Sequence, residues 1–256
     1  MSGFYNKQRK RLGQNYINDS GLIKELIEKA GIKSGDYVVE PGAGEGVITA
    51  ELLASEALVN AIELDQLNCQ GLKQKFEGVD KFDLYCGDVL GYRPKSDHYT
   101  VFGNPPFGIT SKILKHFLLN PKQPENAYLI MQLEAFERLV GTKENSLVSL
   151  KINYLYSDKI LGYIDSKYFT PAPQVESVFT SFTRLRSIDK QTVQFFDFID
   201  AVYARSQGTI RGNLKKWLSN LQVKRLGQDN QFNPTDSITA LDINQWQAVY
   251  AFYQSL

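Results

Sequence analysis

The stretch that most constrains this chain is Asp36 to Leu53, where a short apolar run, Tyr37-Val38-Val39-Glu40, passes through Pro41-Gly42-Ala43-Gly44-Glu45-Gly46 into the helical run Val47 to Leu53. A buried strand that ends in small residues and continues as a helix is a βα unit, the repeating element of an open, mostly parallel sheet. Small residues let a ligand approach the backbone, although an ordinary tight βα connection carries the same pattern. The next strand-like run, Leu58 to Ile62, ends at Glu63. That acid stands about twenty residues past the first glycine, where nucleotide-binding sheets hold ribose hydroxyls. The Gly-x-Gly-x-Gly form departs from the Gly-x-Gly-x-x-Gly of pyrophosphate binding, which favours a nucleoside ligand such as S-adenosylmethionine over a dinucleotide.

Further along, a helical stretch from Asp65 to Phe76 leads to a strand at Phe82 to Cys86, closed by Gly87-Asp88-Val89. Asp88 at a strand's carboxyl end suits an amino group on an adenine ring, with the Val89 N–H meeting a ring nitrogen; a turn or cap Asp reads the same way. The strand Tyr99 to Phe102 then delivers Gly103-Asn104-Pro105-Pro106-Phe107. An exocyclic amine on a nucleobase is a poor nucleophile because its lone pair is delocalised into the ring. The side-chain carbonyl of Asn104 and the backbone carbonyl of Pro105 would each accept one N–H and draw that pair out of conjugation. The prolines would hold the geometry and Phe107 would stack on the base. Read alone, Asn-Pro-Pro is equally a turn ending a strand.

Ile109 to Leu119 and Glu134 to Val140 carry helical spacing, and strand signals follow at Ala127 to Gln132, Leu147 to Tyr154, Lys159 to Ile164 and Val175 to Phe182. This completes a mostly parallel sheet of about seven strands. After a polar stretch, Leu185 to Lys190, only helical patterns occur: Val193 to Tyr203, Ile210 to Leu221 and Ile243 to Phe252, with a loop at Gly227 to Thr235. The expected organisation is therefore α/β, with a first domain over 1–184, including a basic arm over 1–19, and a small all-helical domain over 185–256. Phe195, Phe196, Phe198, Trp217 and Trp246 are expected to be the core of the second.

Composition narrows the function classes. With 256 residues and 43% hydrophobic content the chain fills a sizeable core. It has no apolar run of about 18 residues and opens on a polar, basic segment, so a cytoplasmic location without a membrane partner is expected. Cys69 and Cys86 have no His or Cys at ligand spacing; both are expected as thiols, with no metal site. The net charge of +1 announces no nucleic-acid partner. Its distribution says more: Lys7, Arg9, Lys10 and Arg11 stand without an acid among them, and Arg205 and Arg211 belong to a basic excess near the C-terminus. Such runs are also what a solvated face looks like.

Taken together, these residues resemble the rRNA adenine N6-methyltransferases, that is, the Erm macrolide-resistance enzymes and the KsgA/Dim dimethyltransferases. The likeness begins at Leu12-Gly13-Gln14-Asn15-Tyr16-Ile17 and continues through Glu40 to Gly46, Glu63-Leu64-Asp65, Gly87-Asp88 and Asn104 to Phe107. It extends to Gln132-x-Glu134 and Phe169-x-Pro171-x-Pro173-x-Val175-x-Ser177. The resemblance implies a Rossmann-like class I methyltransferase domain followed by a helical RNA-binding domain. It implies an S-adenosylmethionine site at Gln14, Asn15, Ile17, Gly42, Ala43, Glu63, Leu64, Asp88, Val89 and Asn104. Asn104 and Pro105 would act on the target amine, and Phe107 and Phe169 would hold a flipped adenine. Lys7, Arg9, Lys10, Arg11, Arg205 and Arg211 would meet rRNA phosphates.

Two features depart from the family pattern. Pro105 replaces the usual Leu or Ile of the Asn-x-Pro-aromatic motif, and Arg205-Ser206-Gln207-Gly208 stands where an Arg-Arg-Lys cluster is expected. Glu-Pro-Gly-Ala-Gly-Glu-Gly and Phe107 lean toward the Erm side, which implies a monomeric enzyme that methylates an adenine of 23S rRNA and confers macrolide, lincosamide and streptogramin B resistance. The alternatives are a 16S rRNA dimethyltransferase of the KsgA/Dim kind and a non-catalytic nucleic-acid binder on the same fold.

Overall fold

A computed structural model describes residues 15–256; Lys7, Arg9, Lys10, Arg11 and Gln14 lie outside them. The described chain opens with a two-residue strand, β1 (Tyr16–Ile17), and helix α1 (Ser20–Ala30). The capping residue of α1 is Asp19, whose carboxylate accepts from the Leu22 N–H at 2.8 Å.

Strands β2 (Tyr37–Pro41), β3 (Leu58–Glu63), β4 (Phe82–Cys86), β5 (Thr100–Gly103) and β6 (Asn126–Gln132) pair in parallel. Strand β7 (Tyr156–Ile164) follows, then the short β8 (Phe169–Thr170) and β9 (Ser177–Arg184), which runs antiparallel to β6. The main sheet has the order β4-β3-β2-β5-β6-β9-β7, while β8 pairs with β1 in a separate ribbon. Helices α2 (Val47–Ala54), α3 (Gln66–Lys75) and α4 (Thr110–Leu118) make the crossovers. Layers on both faces explain why Val38, Val39, Val101, Leu129 and Met131 are all buried: a parallel strand has no solvent side.

Two expectations change within this sequence. Leu147 to Tyr154 is not a strand but part of α6 (Leu147–Leu155), which follows α5 (Leu133–Val140). A reciprocal capping box between Ser146 and Ser149 starts α6, and the helix buries Leu150, Ile152 and Leu155. Cys69 of α3 and Cys86 of β4 are not thiols but are joined as a disulfide, with Cα atoms 6.0 Å apart.

By internal contacts the described residues form two compact units, 15–136 with 157–184, and 137–156 with 185–256. The segment 137–156 thus groups with the helical part, whereas the sequence reading assigned all of 1–184 to the first domain. The second unit contains α7 (Lys190–Tyr203), α8 (Ile210–Leu214), α9 (Asn220–Asp229) and α10 (Ile243–Gln254). The run Ile210 to Leu221, expected as one helix, is divided because Ser219 and Gln222 form a second capping box, which also carries α9 into the expected loop as far as Asp229. Phe195, Phe198 and Trp246 are buried at the centre of this unit, with Phe196 and Trp217 packed against them.

Candidate active site

The first unit turns back on itself beside β2. From there the chain runs outward through β3 to β4, then returns to place β5 on the other flank of β2, with Val38 opposite Thr100 and Val39 opposite Val101. A crevice forms outside the carboxyl ends of strands at such a reversal. Two loops enter it: residues 42–46 leaving β2, and residues 104–107 leaving β5.

The first loop is held from the end of β3. The N–H groups of Gly42 and Ala43 donate to the Ile62 carbonyl at 2.8 and 3.0 Å, and the Gly44 N–H donates to Glu63 Oε2 at 2.7 Å. Glu63 Oε1 accepts from the Asp65 N–H, also at 2.7 Å. Glu63 is 2% exposed, so this carboxylate is buried yet satisfied by two charge-assisted hydrogen bonds. Each oxygen keeps a further lone pair for a ligand. Gly44 and Gly46 are required here: both have positive φ, and a Cβ on Gly44 would lie 2.9 Å from the Tyr16 ring, one on Gly46 2.6 Å from Leu72.

Beside Glu63 lies a cavity of about 590 Å³, a size common for ligand sites. Gly42, Glu63, Leu64, Asp88 and Val89 line it, all of them singled out in the sequence. Asp88 caps the turn Val89–Gly91, its Oδ1 accepting from the Leu90 N–H at 2.9 Å, and the residue also borders the cavity. Asn15, Ile17, Ala43 and Asn104 line a smaller neighbouring recess of about 30 Å³, which shares Gly42 and Pro106 with the larger cavity. Gln66, Leu67, Gly108, Ile109 and Ile113 also line the large cavity and escaped the sequence reading. For the first two, the signal was Asp65, an N-cap that starts α3 at the cavity's edge.

At the recess, Asn104 Nδ2 donates to the backbone carbonyl of Asn15 at 2.8 Å, whereas Asn104 Oδ1 is buried without a hydrogen-bond partner among the described residues. Among the described residues the Pro105 carbonyl has only a long contact with Thr110 Oγ1, 3.5 Å, because that hydroxyl lies closer to the Pro106 carbonyl at 3.1 Å. Phe107 and Phe169 meet edge to face, with centroids 5.9 Å apart at 70°. Phe169 reaches this position because β8 pairs with β1, Ile17 opposite Phe169 and Tyr16 opposite Thr170.

Beneath the loop, Glu40 accepts from Thr49 Oγ1 at 2.6 Å through Oε2, and its Oε1 is buried without a partner among the described residues. Burial pushes this carboxyl up to about 8, the charge of Glu63 adds to the rise, and the Thr49 hydrogen bond opposes it. In the second unit the Arg205 guanidinium lies 5.9 Å from the Trp217 ring centroid, and Arg211 is exposed on α8. Among the described residues no His, Cys, Asp and Glu side chains group to hold a metal ion, and no helix is long and apolar enough to cross a membrane.

Comparison with known proteins places this geometry in context. The model of a family described as ribosomal RNA adenine dimethylase matches residues 5–255. A ribosomal RNA small subunit methyltransferase A from Prochlorococcus marinus (strain NATL2A) is 30% identical over 242 residues, 88% of this chain and 83% of that one. The protein of the same name from Pseudomonas fluorescens (strain Pf0-1) is 28% identical over 242 residues, 90% of this chain and 89% of that one. The solved structure of the 23S rRNA methyltransferase ErmE has a TM-score of 0.79 at 22% identity, covering 94% of this chain and 100% of that one. A dimethyladenosine transferase from Plasmodium falciparum has a TM-score of 0.70 at 20% identity, with 93% and 97% covered. At these identities the solved structures speak to the fold alone.

Proposed function

The chain belongs to the ribosomal RNA adenine dimethylase family and is an rRNA adenine methyltransferase using S-adenosylmethionine; from that premise we propose that it methylates N6 of adenines in small-subunit rRNA, with Asn104 as the group that receives the target amine. The observation that carries the proposal is the buried, unpartnered Oδ1 of Asn104, whose amide is held the other way round by Asn15. A buried acceptor without a partner calls for a donor, and an adenine amine is one.

The residues around the cavity suit the cofactor. Glu63 has lone pairs left for ribose hydroxyls, Asp88 has its second oxygen and Val89 its N–H for an adenine ring, and Gly42 lines the same cavity. Leu64 and Ala43 supply apolar contact, while Asn15, Ile17 and Asn104 frame the recess toward the acceptor. When bound, S-adenosylmethionine supplies a methyl group already activated on a sulfonium.

The chain's own contribution is therefore positioning more than acid–base chemistry. Asn104 Oδ1 accepts one N–H of the amine and the Pro105 carbonyl the other, which turns the nitrogen lone pair out of the ring's conjugation. The edge-to-face contact of Phe107 and Phe169 leaves no slot between them, so we read the pair as one wall of the adenine pocket rather than as two jaws. Lys7, Arg9, Lys10, Arg11, Arg205 and Arg211 are assigned to RNA phosphates, and a monomer acting in the cytoplasm fits a ribosomal RNA substrate.

The sequence alone leaned to 23S rRNA and drug resistance. Relatives named for the small subunit, spanning most of both chains at up to 30% identity, support the other target. The test is labelling with methyl-tritiated cofactor on 16S and 23S rRNA, followed by mass spectrometry of the modified nucleotide. Methylated adenines in 16S rRNA are expected. Label confined to 23S rRNA, with macrolide resistance in a susceptible host, would transfer the reading to the resistance enzymes; label in neither would favour the non-catalytic binder.

A further inference from the structure

The loop 42–46 is soft by composition, since Gly42, Gly44 and Gly46 all hold positive φ, and its helix α2 begins at Gly46 with no side-chain cap. The N–H groups of Gly42, Ala43 and Gly44 are held on the β3 side, through Ile62 and Glu63, and that of Gly46 donates back to the Ala43 carbonyl. On the carbonyl side stands Lys75, in the last turn of α3: its ammonium donates to the carbonyl of Glu45 at 3.1 Å and to that of Gly46 at 3.0 Å. The same helix closes on the loop with Leu72 and Phe76, the two side chains a Cβ on Gly46 would strike. Lys75 Nζ also lies 5.3 Å from the Phe76 ring centroid, which helps to hold the ammonium over that turn.

We propose that Lys75 is a positioning residue for methyl transfer, fixing the cofactor loop from outside so that the Gly42 backbone and the Gly44–Glu63 hydrogen bond keep the shape that binds the cofactor. Lys75 touches neither the cavity nor the acceptor recess, so its effect falls on cofactor affinity and not on the chemical step. Lys75→Met, which keeps the aliphatic stem and removes the donors, is expected to raise KM for S-adenosylmethionine and Kd for S-adenosylhomocysteine by about three- to tenfold, the loss of a charge-assisted hydrogen bond partly exposed to water. The turnover number at saturating cofactor is expected to stay within about twofold. Lys75→Arg, whose guanidinium can span two carbonyls, is expected to restore the affinity. Hydrogen exchange at the Gly44 amide of the full-length protein should quicken in the Met variant and return to the wild-type rate in the Arg variant.

Unchanged affinity and exchange in Lys75→Met would overturn the proposal, as would a fall in turnover number with KM unmoved. If the Met variant fails to fold, Lys75→Gln is judged on the same criteria. The inference rests on the Glu63 cavity being the cofactor site, and the two can fail separately: if that assignment is wrong, Glu63→Ala leaves S-adenosylhomocysteine binding intact whatever Lys75 does.

Discussion

Asn104 donates its side-chain N–H to the backbone carbonyl of Asn15, 2.8 Å away, and this settles the orientation of the amide. A carbonyl oxygen can only accept, so the NH₂ must face Asn15 and Oδ1 must face away. Asn104→Ala deletes the acceptor and leaves the Asn15 carbonyl in place. Single-turnover methylation of rRNA is expected to fall by about 100-fold or more, the scale of losing one positioned polar group at a reacting centre. Rapid-quench kinetics at saturating cofactor measure it, and a near-normal rate would remove Asn104 from the chemistry.

Glu63 holds the glycine loop and lines the cavity at once, so its removal acts twice. Glu63→Gln presents an NH₂ toward one of the two backbone N–H groups that the carboxylate now accepts, leaving a buried donor unpaired. Calorimetry with S-adenosylhomocysteine is expected to show an affinity loss of about tenfold or more.

Glu40 makes stability depend on pH in an unusual direction. Its carboxyl is raised from 4.5 to about 8 by burial, so between those values the folded protein keeps a proton that the unfolded chain has released. Stability from this group is complete below about 4.5 and falls as pH rises toward 8, by at most about 1.4 kcal/mol per pH unit. Denaturant titrations at pH 5 and pH 8 are expected to show a smaller difference for Glu40→Gln than for the wild type. A Gln variant with the same pH dependence would mean that Glu40 is ionised in the fold.

Gly46 sits where α3 presses on the loop. Gly46→Ala puts a methyl 2.6 Å from Leu72 and 2.9 Å from Phe76, on a backbone with φ of +73°, and is expected to cost about 1–3 kcal/mol in chemical denaturation. The strain lies in the loop, so weaker cofactor binding should accompany the loss.

The parallel sheet was legible because fully buried strands such as Val38-Val39 and the glycine turn behind them leave few alternatives. The places of Glu63, Asp88 and Asn104 were legible for a related reason, since each stands at or just past the carboxyl end of a strand that the same pattern defines. What escaped depends on partners distant in sequence. The segment Leu147 to Tyr154 alternates like a strand, and only the Ser146–Ser149 cap with helical burial of Leu150, Ile152 and Leu155 decides against it. Lys75 looks like any solvent-facing helix lysine, and no local pattern marks its contact with a loop some thirty positions earlier. The pairing of Cys69 with Cys86 likewise needs β4 laid beside α3 before the two sulfurs can meet.

The ribbon of β1 and β8 joins Tyr16 to Thr170, so the strand pair that sets Phe169 beside Phe107 is made of segments from opposite ends of the first unit's chain. During synthesis the glycine loop, Glu63 and Asn104 all leave the ribosome well before Phe169 does. A nascent chain therefore carries Phe107 before Phe169 is there to meet it, and the contact between the two rings is made late in translation.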